Sequence, residues 1–323
     1  MKLLSFALPA EPDIERLGAI DHEHVVDLKA ASERVDGASG KSFPSTMRAL
    51  LAAGDNGLQQ ARRILSGVKN DSGSGARNYL FKESEVVFLP PISNPEKFLC
   101  IGKNNRKHLE ELRKNSLLTE TPQEPTAFVK LPSSLIGHGA EVVRPDGIVR
   151  LDYEPELVFV IGKRALGVKR DQAMNYVAGI TLLNDLTCRD LQQREVASGS
   201  RFWTGKNIPG FGPLGPYLIT MDEVADPYDL WLSCSVNGQQ RLRYNSSEQI
   251  WKIGDIIEHF SRFIPLEPGD LFSTGSPGGV AVGQKNAAEL FLKPGDVVDV
   301  EIENMALLRT TIIAPGQEQA KAA

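Results

Sequence analysis

The stretch Leu151–Lys163, LDYEPELVFVIGK, decides how the rest of the chain is read. It sets Glu154 and Glu156 two residues apart, directly before the apolar run Leu157, Val158, Phe159, Val160 and Ile161, which Gly162 closes. A short run this rich in β-branched and aromatic residues predicts a buried strand. Side chains two apart on a strand share a face, so both acids stand on one side of the strand's rim. Neighbouring carboxylates repel each other unless a cation or a shared proton lies between them. Taken alone, the pair reads more plainly as a solvated strand end than as a metal site. Pro155 between the acids removes a backbone donor, which predicts a sheet edge or a bulge there.

The surrounding chain is that of an ordinary soluble protein. It has 323 residues, 41% of them hydrophobic and 24% charged, enough for two domains or one large one. A net charge of −5 without a basic stripe argues against nucleic acid as a partner. Three cysteines, Cys100, Cys188 and Cys234, are too few and too scattered for a disulfide framework or a zinc knuckle. The first residues, MKLLSFALPAEPDIERL, lack the longer apolar core of a signal peptide, and no apolar run approaches the roughly 20 residues of a membrane span. These features predict a cytoplasmic protein with no membrane partner.

Residues 2–28 read as a small β-meander, and Ser45 to Val68 as two helices. Ser45 or Thr46 caps the first helix, and Asn56-Gly57 breaks it from the second, Leu58 to Leu65. Residues 69–77 are a polar Gly/Ser loop. Pro90-Pro91 and Asn94-Pro95 mark a junction, which divides the chain into a small N-terminal α+β domain (1–93), a larger domain (94–315) and a disordered tail (316–323). The larger part opens with the strand KFLCIG and a loop turning into a short helix over Lys103 to Lys114. Asn115 to Pro125 reads as mobile. Arg170 to Tyr176 reads as a helix, Val177 to Leu183 as a buried strand ending at Asn184-Asp185, and Thr187 to Ala197 as a helix. Ser198 to Pro216, rich in Gly and Pro, reads as a loop, and the C-terminal third is mainly β. Strands dominate and helices are short, so a β-rich α+β fold is expected rather than a Rossmann sheet.

Asp185 ends one apolar strand as Glu154 and Glu156 begin another. Three carboxylates at strand ends suit Mg²⁺ or Mn²⁺, which take hard oxygen ligands. Spacing alone makes that a weak signal. The ordered blocks GKNNRKHLEE, FVKLPSSLIGHG, DYEPELVFVIGK, NDLTCRDLQ, FGPLGP, LEPGDLFSTGSPGGV and LKPGDVVDVEIE add a great deal. Spread from about Phe98 to Arg309, they resemble the fumarylacetoacetate hydrolase family, in particular its acylpyruvase and 2-hydroxyhepta-2,4-diene-1,7-dioate isomerase members. The leading strands also resemble the smaller first domain of many of these proteins.

The resemblance implies a mixed β-sandwich roll as the catalytic domain and a homodimer. It implies that Glu154, Glu156 and Asp185 hold Mg²⁺, with Mn²⁺ as the alternative. It pairs His108 with Glu111 as a general base; three apart on a helix, the two share a face, and a carboxylate there raises the basicity of the imidazole. Without the resemblance, His108 in KHLEELRK reads as a solvated histidine. Lys206 of the GK motif becomes a cation for a developing enolate. Gln192, Lys130, Gly275 and Ser276 become substrate-binding residues, the last two in a Gly-rich turn whose amides suit a carboxylate. The chain departs from the family pattern at Asn105, where an aromatic is common, and at Asn207 to Gly210, and both departures bear on substrate specificity.

The implied reaction is hydrolysis of a C–C bond in an acylpyruvate-like β-diketo acid, as in aromatic catabolism, with a small keto acid as the only partner. His108 would deprotonate water for attack on the distal carbonyl, leaving an enolate stabilised by the metal. Two rivals share the residues. One is oxaloacetate decarboxylation, keto–enol tautomerisation or ring-cleavage-product isomerisation at the same site. The other is a metal-stabilised binding protein without turnover.

Overall fold

The computed structural model describes residues 1–37, 42–68, 78–114, 122–199 and 202–317. The Gly/Ser loop expected over 69–77, most of the Asn115 to Pro125 segment and all but the start of the expected tail lie outside them. Its architecture is a β-rich α+β fold organised on two sheets. A twelve-stranded sheet runs in the order Leu80–Lys82, His24–Asp27, Glu11–Asp21, Lys2–Leu8, Gly212–Thr220, Val177–Asn184, Pro155–Ile161, Leu271–Ser273, Phe98–Ile101, Ala127–Val129, with two short strands off this path. A five-stranded sheet packs against it, ordered Gln239–Asn245, Trp231–Val236, Val297–Ile302, Ala306–Ile313, Glu141–Val143.

The opening stretch lies at the middle of this arrangement. Pro155–Ile161 is buried at every position. It pairs antiparallel with Val177–Asn184 on one side and with Leu271–Ser273 on the other. Its side chains alternate between two cores. Leu157, Phe159 and Ile161 join Leu232, Val300 and Leu308 from the five-stranded sheet. Val158 and Val160 join Leu50 and Ile64 from the leading helices. A strand covered on both faces has no polar face to show, which is why the run is continuously apolar. Pro155 therefore lies at neither an edge nor a bulge. It is the first residue of a central strand, opposite Asn184 and beyond the reach of Leu271–Ser273, where a missing N–H breaks no ladder bond.

The leading strands form the expected meander, and Lys2–Leu8 pairs directly with Gly212–Thr220, so one sheet runs across the junction near residue 93. Thr46 caps Met47–Ala52 through its side chain. The break that follows comes at Gly54, whose φ of +62° suits glycine, and not at Asn56-Gly57. Those two sit inside the helix Gly54–Val68, where a Cβ on Gly57 would stand 2.5 Å from the Leu50 carbonyl oxygen; the close crossing of the two helices requires glycine. Arg170–Tyr176 is a 3₁₀ helix, and Thr187–Cys188 is a short strand before the helix Arg189–Ala197. The larger correction concerns Ser198 to Pro216. Within it lie the short helix Thr204–Asn207 and the start of Gly212–Thr220, a central strand. Its sequence, GPLGPYLIT, carries loop composition because Gly215 and Pro216 fall where the ladder with Val177–Asn184 shifts register.

Candidate active site

Two neighbouring strand ends assemble the acidic centre. Pro155 pairs with Asn184, the Asp185 N–H donates to the Glu154 carbonyl at 2.8 Å, and the Glu154 N–H donates to Asn184 Oδ1 at 3.0 Å. Residues thirty apart in sequence thus become direct neighbours. Glu154, Glu156 and Asp185 are all buried and present ligand oxygens within 4.8 Å of one another. No comparable cluster occurs elsewhere among the described residues.

Cations surround two of these acids. The Lys206 ammonium bridges Glu154 and Asp185, reaching Asp185 Oδ2 at 2.5 Å. Arg189 donates to Glu154 through Nη2, to Asp152 through Nε at 2.9 Å and to Gln192 Oε1 through Nη1 at 2.9 Å. Burial opposes ionisation of Glu154, but Arg189 and Lys206 outweigh it and hold the carboxyl well below its ordinary range. The same attraction raises Lys206 above the usual lysine range in spite of burial.

Glu156 is the exception. Its Oε2 is buried without a hydrogen-bond partner. Burial first, and the nearby Asp185 next, push its carboxyl well above the ordinary range. An unpartnered carboxylate oxygen beside two further carboxylates is the hard-oxygen donor set that a divalent cation would satisfy. The three acids fit such an ion.

His108 and Glu111 lie on the helix Arg106–Lys114 and reach the same region. His108 lines a cavity of about 320 Å³ together with Glu154, Glu156, Asp185, Lys206 and Gln192. Its Nδ1 is buried and has no hydrogen-bond partner, and Glu111 Oε2 stands 3.9 Å from it, a contact longer than a hydrogen bond. Glu111 instead accepts the Gly279 N–H on both oxygens, at 3.0 and 3.1 Å. Burial raises the Glu111 carboxyl, yet His108 and the Gly279 amide together hold it below the usual range. At Gly283 a Cβ would stand 2.9 Å from Glu111 Oε2, so a side chain there would push the flexible end of that carboxylate aside.

The other expected residues divide. Ser276 lines the cavity, and its hydroxyl donates to Glu154 Oε2 at 3.0 Å. Gln192 lines it with its amide oxygen held by Arg189, which leaves the NH₂ group to face a ligand. Lys130 and Gly275 are not among the lining residues. Lys130 is fully buried, and its three donors go to Asp185 Oδ1 (2.7 Å), the Lys206 carbonyl (2.5 Å) and the Phe211 carbonyl (2.7 Å), so it braces the site and has no donor left for substrate. Gly275 is a spacer: at φ +93°, a Cβ on it would stand 2.6 Å from the Ile101 carbonyl oxygen.

The two departing positions are structural. Asn105 caps the helix of His108, its Oδ1 accepting the His108 N–H at 3.0 Å. Asn207 accepts the Leu131 N–H at 2.6 Å and donates to the Val129 carbonyl, tying the Lys206 segment to that of Lys130. Sequence reasoning missed Arg189 and Asp152. Both fall inside quoted blocks, but only the fold shows Asp152 accepting the Ala281 and Val282 amides as well as Arg189, which joins the triad to the Gly-rich turn.

The family model described as fumarylacetoacetate hydrolase C-terminal matches residues 97–313. The chain belongs to the fumarylacetoacetate hydrolase family. It is 34% identical over 315 residues to the mitochondrial oxaloacetate tautomerase fahd2 of Xenopus laevis, covering 97% of this chain and 90% of that one. It is 32% identical over 295 residues to the oxaloacetate tautomerase YisK of Bacillus subtilis, covering 91% and 94%. Among solved structures, it superposes on a fumarylacetoacetate hydrolase of Exiguobacterium antarcticum with a TM-score of 0.74 at 28% identity, covering 97% and 99%. The β-rich fold expected from the motifs is the fold of this family. No helix among the described residues is long and apolar enough to cross a membrane.

Proposed function

We propose that this family member interconverts the keto and enol forms of a small 2-oxo acid, with oxaloacetate as the first substrate to test. The observation that carries the reading is the shared cavity: a buried histidine with an unpartnered nitrogen lines the same 320 Å³ space as the carboxylate triad. The names of the relatives in Xenopus laevis and Bacillus subtilis support tautomerisation over the hydrolysis expected from the motifs. Glu154, Glu156 and Asp185 would hold the divalent cation, Mg²⁺ or Mn²⁺, which when bound supplies Lewis-acid stabilisation of negative charge on the oxo oxygen.

The protein's own groups do the rest. The Gln192 NH₂ group, fixed by Arg189, donates to the substrate's oxo-acid head. His108 takes the proton from the carbon next to the oxo group and returns it to oxygen, so the reaction moves one proton and needs no oxidant or water. Glu111, with Oε2 3.9 Å from His108 Nδ1 on the same helix face, is placed to orient the imidazole. Lys206 adds positive potential where charge develops on oxygen.

The test follows the ketonisation of enol oxaloacetate by ultraviolet absorbance in Mg²⁺ and in a chelator. The Mg²⁺-loaded protein is expected to accelerate it, and His108→Ala to lose roughly 10²–10⁴-fold while Mg²⁺ affinity holds. No acceleration over buffer, or full activity in His108→Ala, would overturn the assignment. Acylpyruvate hydrolysis is the second reading, favoured by the name of the structural neighbour in Exiguobacterium antarcticum. It would show as pyruvate release from acetylpyruvate. The homodimer belongs to the same proposal, and sedimentation velocity decides it.

A further inference from the structure

Helix Arg189–Ala197 carries two adjacent glutamines, and both line the cavity. Each has its amide oxygen held by a different arginine. Arg189 Nη1 donates to Gln192 Oε1 at 2.9 Å, and Arg150 Nη2 donates to Gln193 Oε1 at 2.8 Å. A primary amide whose oxygen accepts from a guanidinium keeps both N–H donors of its NH₂ group for a ligand. The two glutamines are therefore a matched pair of donors.

Their arginines differ in what else they do. Arg189 is spent on Asp152 and Glu154, inside the charge cluster of the triad. Arg150 pairs with Asp190 through Nε at 2.7 Å, and its Nη1 has no hydrogen-bond partner among the described residues. Asp190 is itself shared, its Oδ2 accepting the backbone N–H groups of Val149 and Arg150 at 3.3 and 3.0 Å. A guanidinium N–H group without a partner is a strong, charge-assisted donor to a carboxylate. Arg150 lines the cavity and is about a third exposed, so this Nη1 group is open to a ligand. Much of the remaining wall is apolar, from Phe128, Val196, Phe202 and Val282, with Lys103 as another cation.

We propose that Nη1 of Arg150 and the amide nitrogen of Gln193 form a second carboxylate site, so that the chain prefers dicarboxylic 2-oxo acids to those with a neutral tail. This deepens the function proposed above and rests on it. The oxo-acid head lies at the triad and Gln192, and the distal carboxylate lies at Arg150 and Gln193. The competing role for Arg150 is a strut joining the strand Leu151–Asp152 to the helix through Asp190.

The test compares Arg150→Gln and Gln193→Leu with the unaltered Mg²⁺-loaded protein. Rates are measured on oxaloacetate and on acetylpyruvate, in which a neutral acetyl group replaces the second carboxylate. Binding of malate and of oxalate, which carries the head alone, is measured by calorimetry. Loss of a charge-assisted hydrogen bond lowers affinity by about tenfold or more. Both variants are expected to lower the ratio of kcat/KM for oxaloacetate over acetylpyruvate by about that factor, through KM, and the malate-to-oxalate affinity ratio with it. Ratios that stay constant, whether or not all values fall together, mark Arg150 as a strut and overturn the proposal. Should neither substrate turn over, the function above fails and the malate-to-oxalate ratio alone decides this site.

Discussion

Replacing Glu156 by Gln is expected to stabilise the metal-free protein while removing its response to divalent cation. Glu156 is 2% exposed, and one of its oxygens has no partner. Burial, with Asp185 beside it, raises its carboxyl well above the 4.5 of an ordinary glutamate. A carboxyl raised by folding binds its proton more tightly in the native than in the unfolded chain. Its contribution is therefore fully present below about pH 4.5 and is lost as pH rises towards the folded value. Over that window the loss is on the order of 1 kcal/mol for each pH unit. Glutamine has nearly the same shape and no charge to desolvate, so Glu156→Gln removes this slope. Bound Mg²⁺ acts in the opposite sense on the unaltered protein, adding about 3 kcal/mol at a hundred times its Kd. The assay is urea unfolding from about pH 5 to about pH 8, in a chelator and in Mg²⁺. The unaltered protein should lose stability with rising pH in chelator and regain it with Mg²⁺, whereas the variant should be flatter in pH and nearly indifferent to Mg²⁺. A variant that keeps the full slope, or is less stable than the unaltered protein at every pH without metal, would refute the reasoning.

Two further substitutions separate bracing from catalysis. Lys130→Met removes the only ammonium on Asp185 Oδ1 among the described residues and takes a donor from the Lys206 and Phe211 carbonyls. It should cost about 3–5 kcal/mol in denaturant unfolding, and a loss under about 1 kcal/mol would show that Lys130 is not a brace. Gly283→Ala pushes a methyl group against Glu111 Oε2 and should displace that carboxylate from the Gly279 amide. Turnover is expected to fall while the melting temperature holds, because the clash is with a flexible side-chain end. Unchanged turnover would free Glu111 of any role in orienting His108.

What could be read from the chain was what repeats locally. The alternation of Val158 and Val160 with Leu157, Phe159 and Ile161 is encoded in consecutive residues, and so is the same-side placement of Glu154 and Glu156. The motif blocks carried the family, because their spacing survives as a linear string. Where local composition misled, tertiary context had prevailed. Gly212 to Pro216 reads as a loop because Gly and Pro break a ladder, yet pairing with Val177–Asn184 and with Leu135–Ile136 holds it in the sheet. Asn56-Gly57 reads as a break, yet the helix continues because only glycine lets it pass so close to Leu50.

The site divides along the same line. Sequence by itself determined which acids, which histidine and which lysines are present, and that two of the acids sit together. Only the tertiary structure decided their states. It gave Arg189 and Lys206 to Glu154 and left an oxygen of Glu156 without a partner; it spent every donor of Lys130 and set Arg150 beside Gln193. The physical reason is that charge pairing and desolvation depend on distance through space. Strand pairing brings residues such as Glu154 and Asn184 within hydrogen-bonding range, although the sequence holds them thirty positions apart.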